Sequence, residues 1–466
     1  MGTLASLTNL ATSALTADNY ALNVTANNVA NQNTPGYTRQ IVNWQLGDSV
    51  TINGNVYSEA PATSATSQRD RVLDQRVQQQ TQAESETASR SSVLSQIEGI
   101  FSLSSSSTSA GSTPIGTDLD SLFSAFSSLS ASPSDAATQQ SVLAAAGSLA
   151  SDFNSASSQL TSIAQSIGGD LTTQVTQVNA LTQSIAALNG QIETQDPTTD
   201  AGELEDARQN DINQLSALVG LDQVTTENNG ISLTTTSGTL LVAGNTSANI
   251  SAVQVGSKFE IQDSSGTDIS AGTQGGSIGG LLTAQNTDVP AAVNALDSLA
   301  YNIGTAVNTQ NEAGLSSSGT AGTAIFSLPT TAAGAAALIS VSATSVAAVA
   351  SAATDEGSSG NTNAQALAAL ATTVNASGQT FSETYATLLG QIGATAAAVT
   401  QQNTTQQTTL TSLTTQRDSL SAVSLDEEAS NLTVYQRAYE ASAKLFSVLD
   451  TIEASALNLG EETTVS

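Results

Sequence analysis

The sequence contains no cysteine and no histidine. These absences exclude disulfides, thiolate nucleophiles, a Ser-His-Asp triad and zinc sites with Cys or His ligands. Aromatic residues are also scarce, at 3 % of the 466 residues, so each residue buries little apolar area. We therefore expect a narrow core and no catalytic, cofactor-binding or metal-binding residues.

Positive charge is in short supply as well. Ten Lys and Arg residues stand against forty Asp and Glu residues, which gives a formal net charge of −30, and no segment clusters the basic residues. Such a chain repels phosphate groups. Nucleic acid and anionic membrane surfaces are therefore not expected as partners.

Long hydrophobic runs are missing too. The Ala-rich stretch 332–353 is interrupted by Ser and Thr and falls short of a membrane-spanning segment. The first 29 residues lack a basic leading region, so the sequence predicts no cleaved secretory signal. Export through an uncleaved N-terminus stays open.

The first segment that the sequence does specify is an N-terminal helix. Leu15, Leu22 and Val29 recur seven residues apart, which is typical of an apolar helix face. Pro35 and Gly36 predict a turn after the helix, because Pro disfavours helix at the preceding residue and Gly permits positive φ. Residues 41–57 are expected to be extended, with Asn53-Gly54 as a hairpin turn.

The middle of the chain predicts helices on both sides of a β region. Ser132, with Pro133 after it, has the signature of a helix start, and Gly168-Gly169 is expected to end that helix. Thr-, Val- and Gly-rich residues 224–269 predict short antiparallel strands. Further helices are expected at 68–101, 171–194, 203–219, 281–310, 364–373 and 381–420.

These patterns predict a mainly α fold with an inserted antiparallel β domain. The N- and C-terminal helices are expected to pair as a coiled-coil-like bundle beside an elongated helical body. The predicted domains are 1–60 with 421–466 (terminal helices), 61–220 with 281–420 (helical body), and 221–280 (β domain).

The C-terminal helix, predicted to begin near Asp426, carries two apolar lines. The first alternates spacings of four and three, as a coiled-coil seam does, and the second runs beside it. The first line is Val434, Ala438, Ala441, Leu445, Val448, Ile452, Ser455 and Leu459, and the second is Leu432, Tyr435, Tyr439, Phe446 and Leu449. Two lines on one helix can contact two elements of the same subunit or two neighbouring subunits, and the pattern leaves both open.

Charged residues at the ends fit structural roles better than catalytic ones. Asp426, Glu427 and Glu428 suit the positive end of a helix dipole, with Ser424 and Glu427 in a capping-box pattern. The extended Tyr37 and Arg39, by contrast, could anchor the surface of a neighbouring subunit.

At both ends the sequence resembles a known group of proteins. ANNVANQNTPGYTRQ at Ala26–Gln40 and SLDEEASNLTVYQRAYEASAKLF at Ser424–Phe446 are similar to the terminal signatures of the axial proteins of the bacterial flagellum, the rod, hook and hook-associated group. The Pro-Gly-Tyr-Thr-Arg-Gln turn points to the hook-associated branch at the hook–filament junction. Residues 129–154, 307–314 and 360–370 are similar to its helical body, whereas residues 54–68 depart from its usual pattern.

The resemblance implies a non-enzymatic structural component of the flagellum, needed for filament assembly. It implies a ring of identical subunits that binds the hook protein on one side and hook-associated protein 3 on the other. It further implies type III export without a cleaved signal peptide, an export chaperone at the C-terminal region, and an extracellular location. The terminal helices are expected to fold only against neighbouring subunits.

The residues predicted at the subunit interface are all in the two terminal segments. They are Leu15, Leu22, Asn28, Val29, Asn31, Pro35, Gly36, Tyr37 and Arg39 near the N-terminus, and Leu432, Tyr435, Arg437, Tyr439, Leu445, Phe446, Val448 and Ile452 near the C-terminus.

Three alternatives remain at the level of sequence. A hook or distal rod protein belongs to the same axial group but usually lacks a long helical middle. A glycan hydrolase needs two carboxylates at a fixed separation, and no such pair stands out. An adhesin would bind a ligand through residues 221–270.

Overall fold

A computed structural model describes residues 2–34, 36–45, 49–52, 55–58, 62–101, 113–195, 202–225, 230–357 and 359–462. Within these ranges the chain is mainly helical. The helices are α1 Gly2–Asn31, α2 Arg71–Ile100, α3 Pro114–Ala131, α4 Ala136–Glu193, α5 Gly202–Leu218, α6 Gly276–Thr283, α7 Val289–Glu312, α8 Ala335–Leu338, α9 Thr362–Ala369, α10 Phe381–Ser421 and α11 Leu425–Glu462. None of the helices described is long and apolar enough to cross a membrane.

The strands form small antiparallel sheets. Their bounds are β1 Gln40–Gln45, β2 Ser49–Ile52, β3 Asn55–Ser58, β4 Ala62–Ser67, β5 Leu221–Thr225, β6 Ile231–Thr235, β7 Leu240–Ala243, β8 Thr246–Ser247, β9 Ser251–Val255, β10 Lys258–Gln262, β11 Leu315–Ser316, β12 Phe326–Ser327, β13 Ser340–Val341 and β14 Ala350–Ala352. One sheet has the order β5-β6-β7-β8, and the pairs β1-β4, β2-β3, β9-β10, β11-β14 and β12-β13 form two-stranded sheets. The predicted fold class is confirmed.

The chain divides into two compact units. The first contains residues 1–82, 177–249 and 407–466, and the second contains residues 83–176 and 250–406. The boundary between residues 249 and 250 lies inside the predicted β domain, since β5 to β8 belong to the first unit and β9 and β10 to the second. The three-domain division stays a prediction.

In the first unit the end of α4 supports the four-stranded sheet through one buried asparagine. The Asn189 Nδ2 donates to the backbone oxygens of Ile231 and Gly244, at 2.8 Å each. Its Oδ1 accepts from Ile231 N at 3.3 Å and from Arg208 Nη1 at 2.8 Å. One amide thereby satisfies backbone groups that a further strand would otherwise have to pair.

In the second unit helices pack around an aliphatic and aromatic core. Phe123 of α3 stacks on Phe381 of α10 with ring centroids 6.3 Å apart. The buried Tyr385 hydroxyl accepts from Thr113 Oγ1 at 2.9 Å, immediately before α3. The Arg90 guanidinium donates to both oxygens of Asp288, at 2.8 and 2.9 Å. The polar groups of the last two pairs thus each meet a specific partner.

Two predictions about α4 are wrong. The helix begins at Ala136, where the Asp135 carboxylate accepts from Ala137 N at 3.0 Å, so Ser132 is not its N-cap. It also continues through Gly168-Gly169 to Glu193 as one helix of 58 residues. Gly168 has a packing role instead of a helix-ending one, because a Cβ at this position would overlap the Phe259 ring of β10.

The β9-β10 hairpin is also held by a side chain from a π-helical segment. Residues 284–288 form this segment between α6 and α7, so the predicted helix 281–310 is interrupted. Gln285 Oε1 accepts from Phe259 N at 3.0 Å, and its Nε2 donates to Phe259 O at 2.8 Å. Phe259 is therefore fixed through its ring at Gly168 and through its backbone at Gln285.

The two adjacent glycines of α4 give a matched test of this packing. We expect Gly168→Ala to lower the free energy of unfolding by about 1–3 kcal/mol, because overpacking outweighs the better helix propensity of Ala. Gly169→Ala, where an added Cβ meets nothing within 4 Å, should raise it by up to about 1 kcal/mol. Urea unfolding of the full chain measures both values. Equal effects of the two substitutions would contradict the packing role of Phe259.

Candidate functional site

The two chain ends meet as an antiparallel helix pair, α1 with α11, which we call the terminal pair. Asn28 near the end of α1 contacts Glu428 near the start of α11, although 400 residues separate them. Asp18 accepts a hydrogen bond from Ser442 Oγ at 3.0 Å further along the pair. The predicted association of the two ends is therefore confirmed within one chain.

Small side chains form the buried face of α1 in this pair. Ala17 and Ala21 are almost fully buried, and Val24 lies beside them. On α11 the aliphatic side chain of Leu449 is buried. Alanines let two helices approach closely but bury little area per residue. The apolar contribution to the terminal pair is therefore modest.

A tight turn follows α1. Thr34 N donates to Asn31 O at 2.9 Å, and Tyr37 N donates to Thr34 O at 3.1 Å. Gly36 has a φ of 82°, a left-handed conformation that favours glycine. The predicted turn is confirmed at Gly36, while Pro35 lies outside the described residues.

Asn28 is the centre of the polar contacts behind this turn, and its exposed fraction is 1 %. Its Oδ1 accepts from the Tyr37 hydroxyl at 2.9 Å and from Gln40 N at 3.0 Å. Its Nδ2 donates to Gln40 O at 2.9 Å and to Glu428 Oε2 at 3.2 Å. One side chain therefore ties the end of α1, the start of β1 and the start of α11 together.

Arg39 completes the arrangement, which we call the Asn28 network (Asn28, Tyr37, Arg39, Gln40, Glu427 and Glu428). Arg39 Nε donates to Glu428 Oε1 at 2.7 Å, and Arg39 Nη1 pairs with Glu427. Glu428 is 1 % exposed, whereas the Glu427 side chain is 60 % exposed. A buried carboxylate needs such pairing, because desolvation penalises its charge.

The backbone of Arg39 is fixed as well. Its N–H donates to Ser421 O at 3.0 Å, and its carbonyl accepts from Gln68 N at 2.9 Å. Ser421 ends α10, and α11 begins at Leu425. The guanidinium is thus held close to the first turn of α11, so it is preorganised for Glu428.

A second charged cluster supports the same turn. Asp206 of α5 accepts from Thr38 N at 2.9 Å and pairs with Arg69. Burial raises the pKa of Asp206, while the bond from Thr38 and the charge of Arg69 oppose that shift. Burial also lowers the pKa of Arg208 to about 10. Arg69 and Arg208 line a polar cavity of about 130 Å³ with Asp74 and Glu205.

Opposite charges in this cavity neutralise one another, so the arrangement is that of a structural ion cluster. Among the residues that the structure describes, no group of three or more His, Cys, Asp or Glu side chains could hold a metal ion.

The predicted interface residues fall into three groups. Asn28, Tyr37 and Arg39 are bonded within the chain, with Asn28 buried and the other two partly so, and Asn31 Nδ2 donates to Asn27 O at 3.1 Å. Leu15, Leu22, Tyr435 and Phe446 are half-buried, and Tyr435 lies against the Trp44 ring with centroids 6.1 Å apart. The exposed group is Val29, Gly36, Leu432, Arg437, Tyr439, Leu445, Val448 and Ile452. Val434, a residue of the predicted seam, is exposed as well.

The sequence interpretation placed the apolar faces slightly off their true positions. The line Leu15, Leu22 and Val29 flanks the buried face, which is formed by Ala17, Ala21 and Val24. On α11 the seam residues Val434, Leu445, Val448 and Ile452 are exposed, whereas Phe446 and Leu449 of the predicted second line are half-buried and buried. Glu428 was assigned to helix-end electrostatics, and its bonds to Asn28 and Arg39 were missed because no local pattern connects residues 400 apart.

The neighbouring glutamates provide a test of the network. We expect Glu428→Gln to lower the free energy of unfolding of the terminal pair by about 2–4 kcal/mol, since it leaves Arg39 partly unpaired in a buried site. Glu427→Gln should cost less than about 1 kcal/mol, because this carboxylate is 60 % exposed. Amide hydrogen exchange of residues 20–40 measures the loss of stability in each variant. Similar protection in both variants would refute the central role of Glu428.

Tyr37 provides a test by pH. Burial, with added repulsion from Asp206, Glu203 and Glu428, raises the pKa of its hydroxyl from about 10 to about 12. The unfolded chain therefore ionises first, and the stabilisation is complete below pH 10 and is lost as the pH rises towards 12. Between pH 9 and pH 11.5, urea unfolding should show a larger loss of unfolding free energy for the unsubstituted protein than for Tyr37→Phe. A constant difference between the two proteins would contradict this.

Three family models match the chain. The model described as flagellar hook-associated protein FlgK helical domain matches residues 94–326, which is half of the chain. The model for flagella basal body rod protein matches residues 9–38. The model for the C-terminal part of flagellar basal body rod FlgEFG proteins matches residues 416–459. The two rod-type matches thus cover the segments that form the terminal pair.

Curated relatives agree with these matches. Flagellar hook-associated protein 1 of Bacillus subtilis is 27 % identical over 495 aligned positions, which cover 96 % of each chain. The proteins of the same name from Escherichia coli and Salmonella typhimurium are each 27 % identical over 70 % of this chain. The alignments span 60 % of the length of those two relatives.

A solved structure shows the same fold. The flagellar hook junction protein FlgK from Burkholderia pseudomallei superimposes with a TM-score of 0.66 at 16 % identity, over 74 % of this chain and 99 % of that one. With the helical-domain model over half of the sequence and the paired ends in place, the chain belongs to the flagellar hook-associated protein 1 (FlgK) family of structural flagellar proteins.

Proposed function

We propose that this chain is a structural subunit of the hook–filament junction and is needed for filament assembly. The observation that carries the proposal is an uncovered apolar line on α11, which we call the outer stripe: Val434, Leu445, Val448 and Ile452. Their exposed fractions are 58, 49, 56 and 46 %. A neighbouring subunit in an axial assembly would cover these side chains.

The outer stripe is long enough for a specific contact. Residues 434 to 452 span about 27 Å at 1.5 Å per residue. Covering each half-exposed aliphatic side chain contributes about 1 kcal/mol. Contiguous exposed apolar surface of this kind is typical of interaction sites. Repeated around a ring, such contacts offset the mutual repulsion of subunits that each carry a charge of −30.

A second uncovered surface lies on the other side of α11. Leu432 and Tyr439 are exposed there, and Trp44 of β1 packs against Tyr435 in the same region with 45 % of its own surface uncovered. Two separate surfaces allow two different neighbours. We assign them to contacts with identical subunits in a ring and with the adjoining axial proteins, the hook protein and hook-associated protein 3.

The remaining predicted interface residues take part in different ways. Leu15, Leu22 and Val29 extend the apolar surface beside the buried face of α1. Asn28, Asn31, Tyr37 and Arg39 act through their bonds within the chain, which position the surfaces that neighbours contact. Pro35, Gly36 and Arg437 stay proposed contact residues.

The terminal pair is expected to become stably ordered on assembly. The buried apolar side chains of α1 are mostly alanines, so the pair gains little from burial before a neighbour covers the outer stripe. Before assembly an export chaperone at the C-terminal region would serve the same purpose by covering apolar side chains. Type III export without a cleaved signal peptide and an extracellular location in the flagellum complete the proposal, and no catalytic activity forms part of it.

Substitutions on the outer stripe test the proposal. We expect Val448→Glu with Ile452→Glu to keep the far-ultraviolet circular dichroism of the parent, because both side chains are exposed. The same change should reduce binding to isolated hooks at least tenfold, since charges would be buried at the interface. The measurement is co-sedimentation of the full chain with hooks, followed by filament formation in cells that lack the native gene.

A matched control comes from an exposed apolar residue outside the terminal pair. Val374 is exposed to 56 %, as Val448 is. Val374→Glu should leave hook binding and filament formation unchanged. Normal binding by the Val448→Glu, Ile452→Glu variant would show that the outer stripe is not an assembly surface.

A further inference from the structure

The inward face of α11 combines polar contacts with apolar ones. Glu428 and Ser442 bond to α1, and on the same side of the helix Phe446 is half-buried and Leu449 is buried. The outer stripe, in contrast, is aliphatic and follows the regular four–three spacing of a helix seam. Both sides of α11 therefore carry large apolar side chains, so apolar burial alone does not choose between them, and another interaction sets the rotation of α11.

We propose that Glu428, held between Asn28 and Arg39, fixes the rotation of α11 on α1 and thereby keeps the outer stripe available to neighbouring subunits. This inference rests on the proposed function, because it explains how the assembly surface stays outward. The proposed function requires an exposed outer stripe but does not specify how α11 is rotated about its own axis.

The contacts of Glu428 are compatible with one rotation of α11 about its axis. Its two oxygens accept from Arg39 Nε at 2.7 Å and from Asn28 Nδ2 at 3.2 Å. Successive residues of a helix are about 100° apart, so Ser442 and Leu445 differ by about 60° around the axis. A rotation of that size would withdraw the buried carboxylate from both donors.

Arg39 is prevented from following such a rotation. Its backbone is bonded to Ser421 and to Gln68, so the base of its side chain stays at one place beside α11. The charged contacts are therefore the constraint on which face turns inward.

A second contact acts in the same direction. Ser442 lies fourteen positions after Glu428, about 21 Å along the helix, and donates to Asp18 Oδ2 at 3.0 Å. Both polar contacts lie on the same side of α11. Specific polar pairs at helix interfaces select one arrangement among several with similar apolar burial.

Disulfide trapping can measure this rotation, because the chain has no cysteine of its own. In a full-length chain with D18C, S442C and L445C, the thiol on α1 can form a disulfide with either of two thiols on α11. Brief oxidation followed by peptide mass spectrometry gives the ratio of 18–442 to 18–445 disulfides. The ratio reports rotation even if the terminal pair is only partly populated, and it is measured both in solution and on hooks.

We expect 18–442 disulfides to exceed 18–445 disulfides at least tenfold in this chain. Adding Glu428→Leu should bring the ratio to about one or reverse it. Adding Glu427→Leu, the matched change at the exposed neighbour, should leave the ratio within about twofold. If Glu428→Leu disrupts folding, Arg39→Met gives the same test by removing the guanidinium, with an expected fall in the ratio of at least threefold.

A ratio that is unchanged by both Glu428→Leu and Arg39→Met overturns the inference, and so does a preference for 18–445 in the starting chain. These outcomes leave the proposed function intact if the outer-stripe substitutions still prevent hook binding. Conversely, normal hook binding by the outer-stripe variant refutes the proposed function whatever the disulfide ratio.

Discussion

A buried carboxylate determines how the two ends of this protein meet. Glu428 is almost fully removed from solvent and is satisfied by Arg39 and Asn28, each of which has further bonds of its own. An isolated buried charge is strongly unfavourable, so the end of α1, the turn after it and the start of α11 form together or not at all. The apolar contacts of the terminal pair, mostly alanine, add little to this selection. Polar contacts therefore specify the arrangement, and apolar contacts remain available for neighbours.

Specific polar contacts also define the packing in the rest of the chain. With 3 % aromatic residues, each unit relies on long helices, small side chains and single amides or charges that meet fixed backbone groups. Asn189 supports the four-stranded sheet, Gln285 holds the β9-β10 hairpin, and Arg90 binds Asp288. Buried polar groups of this kind need their partners, so they give the thin core a defined arrangement. A scaffold of this type suits a part whose task is to hold neighbours in place.

Much of this was accessible from sequence because the signals are local. The helix bounds of α1, α10 and α11, the turn at Gly36 and the antiparallel strands all follow from periodicity, Gly and Pro positions and β-branched residues. Local signals misled at Gly168-Gly169, where the expected helix end is a packing site for Phe259. A glycine can end a helix or allow another element to pack closely against it. Which of the two occurs depends on the residues that contact it in the folded protein.

The sequence by itself determined the fold class, the terminal helices and the family, since these depend on composition, spacing and short motifs. The tertiary structure decided which face of α11 turns inward and which residues bind Glu428. The physical reason is that a heptad-like pattern gives the angular positions of apolar residues but not the element that each will meet. Pairing between Asn28 and Glu428 joins positions 400 residues apart, and its energy depends on burial that exists only in the folded chain.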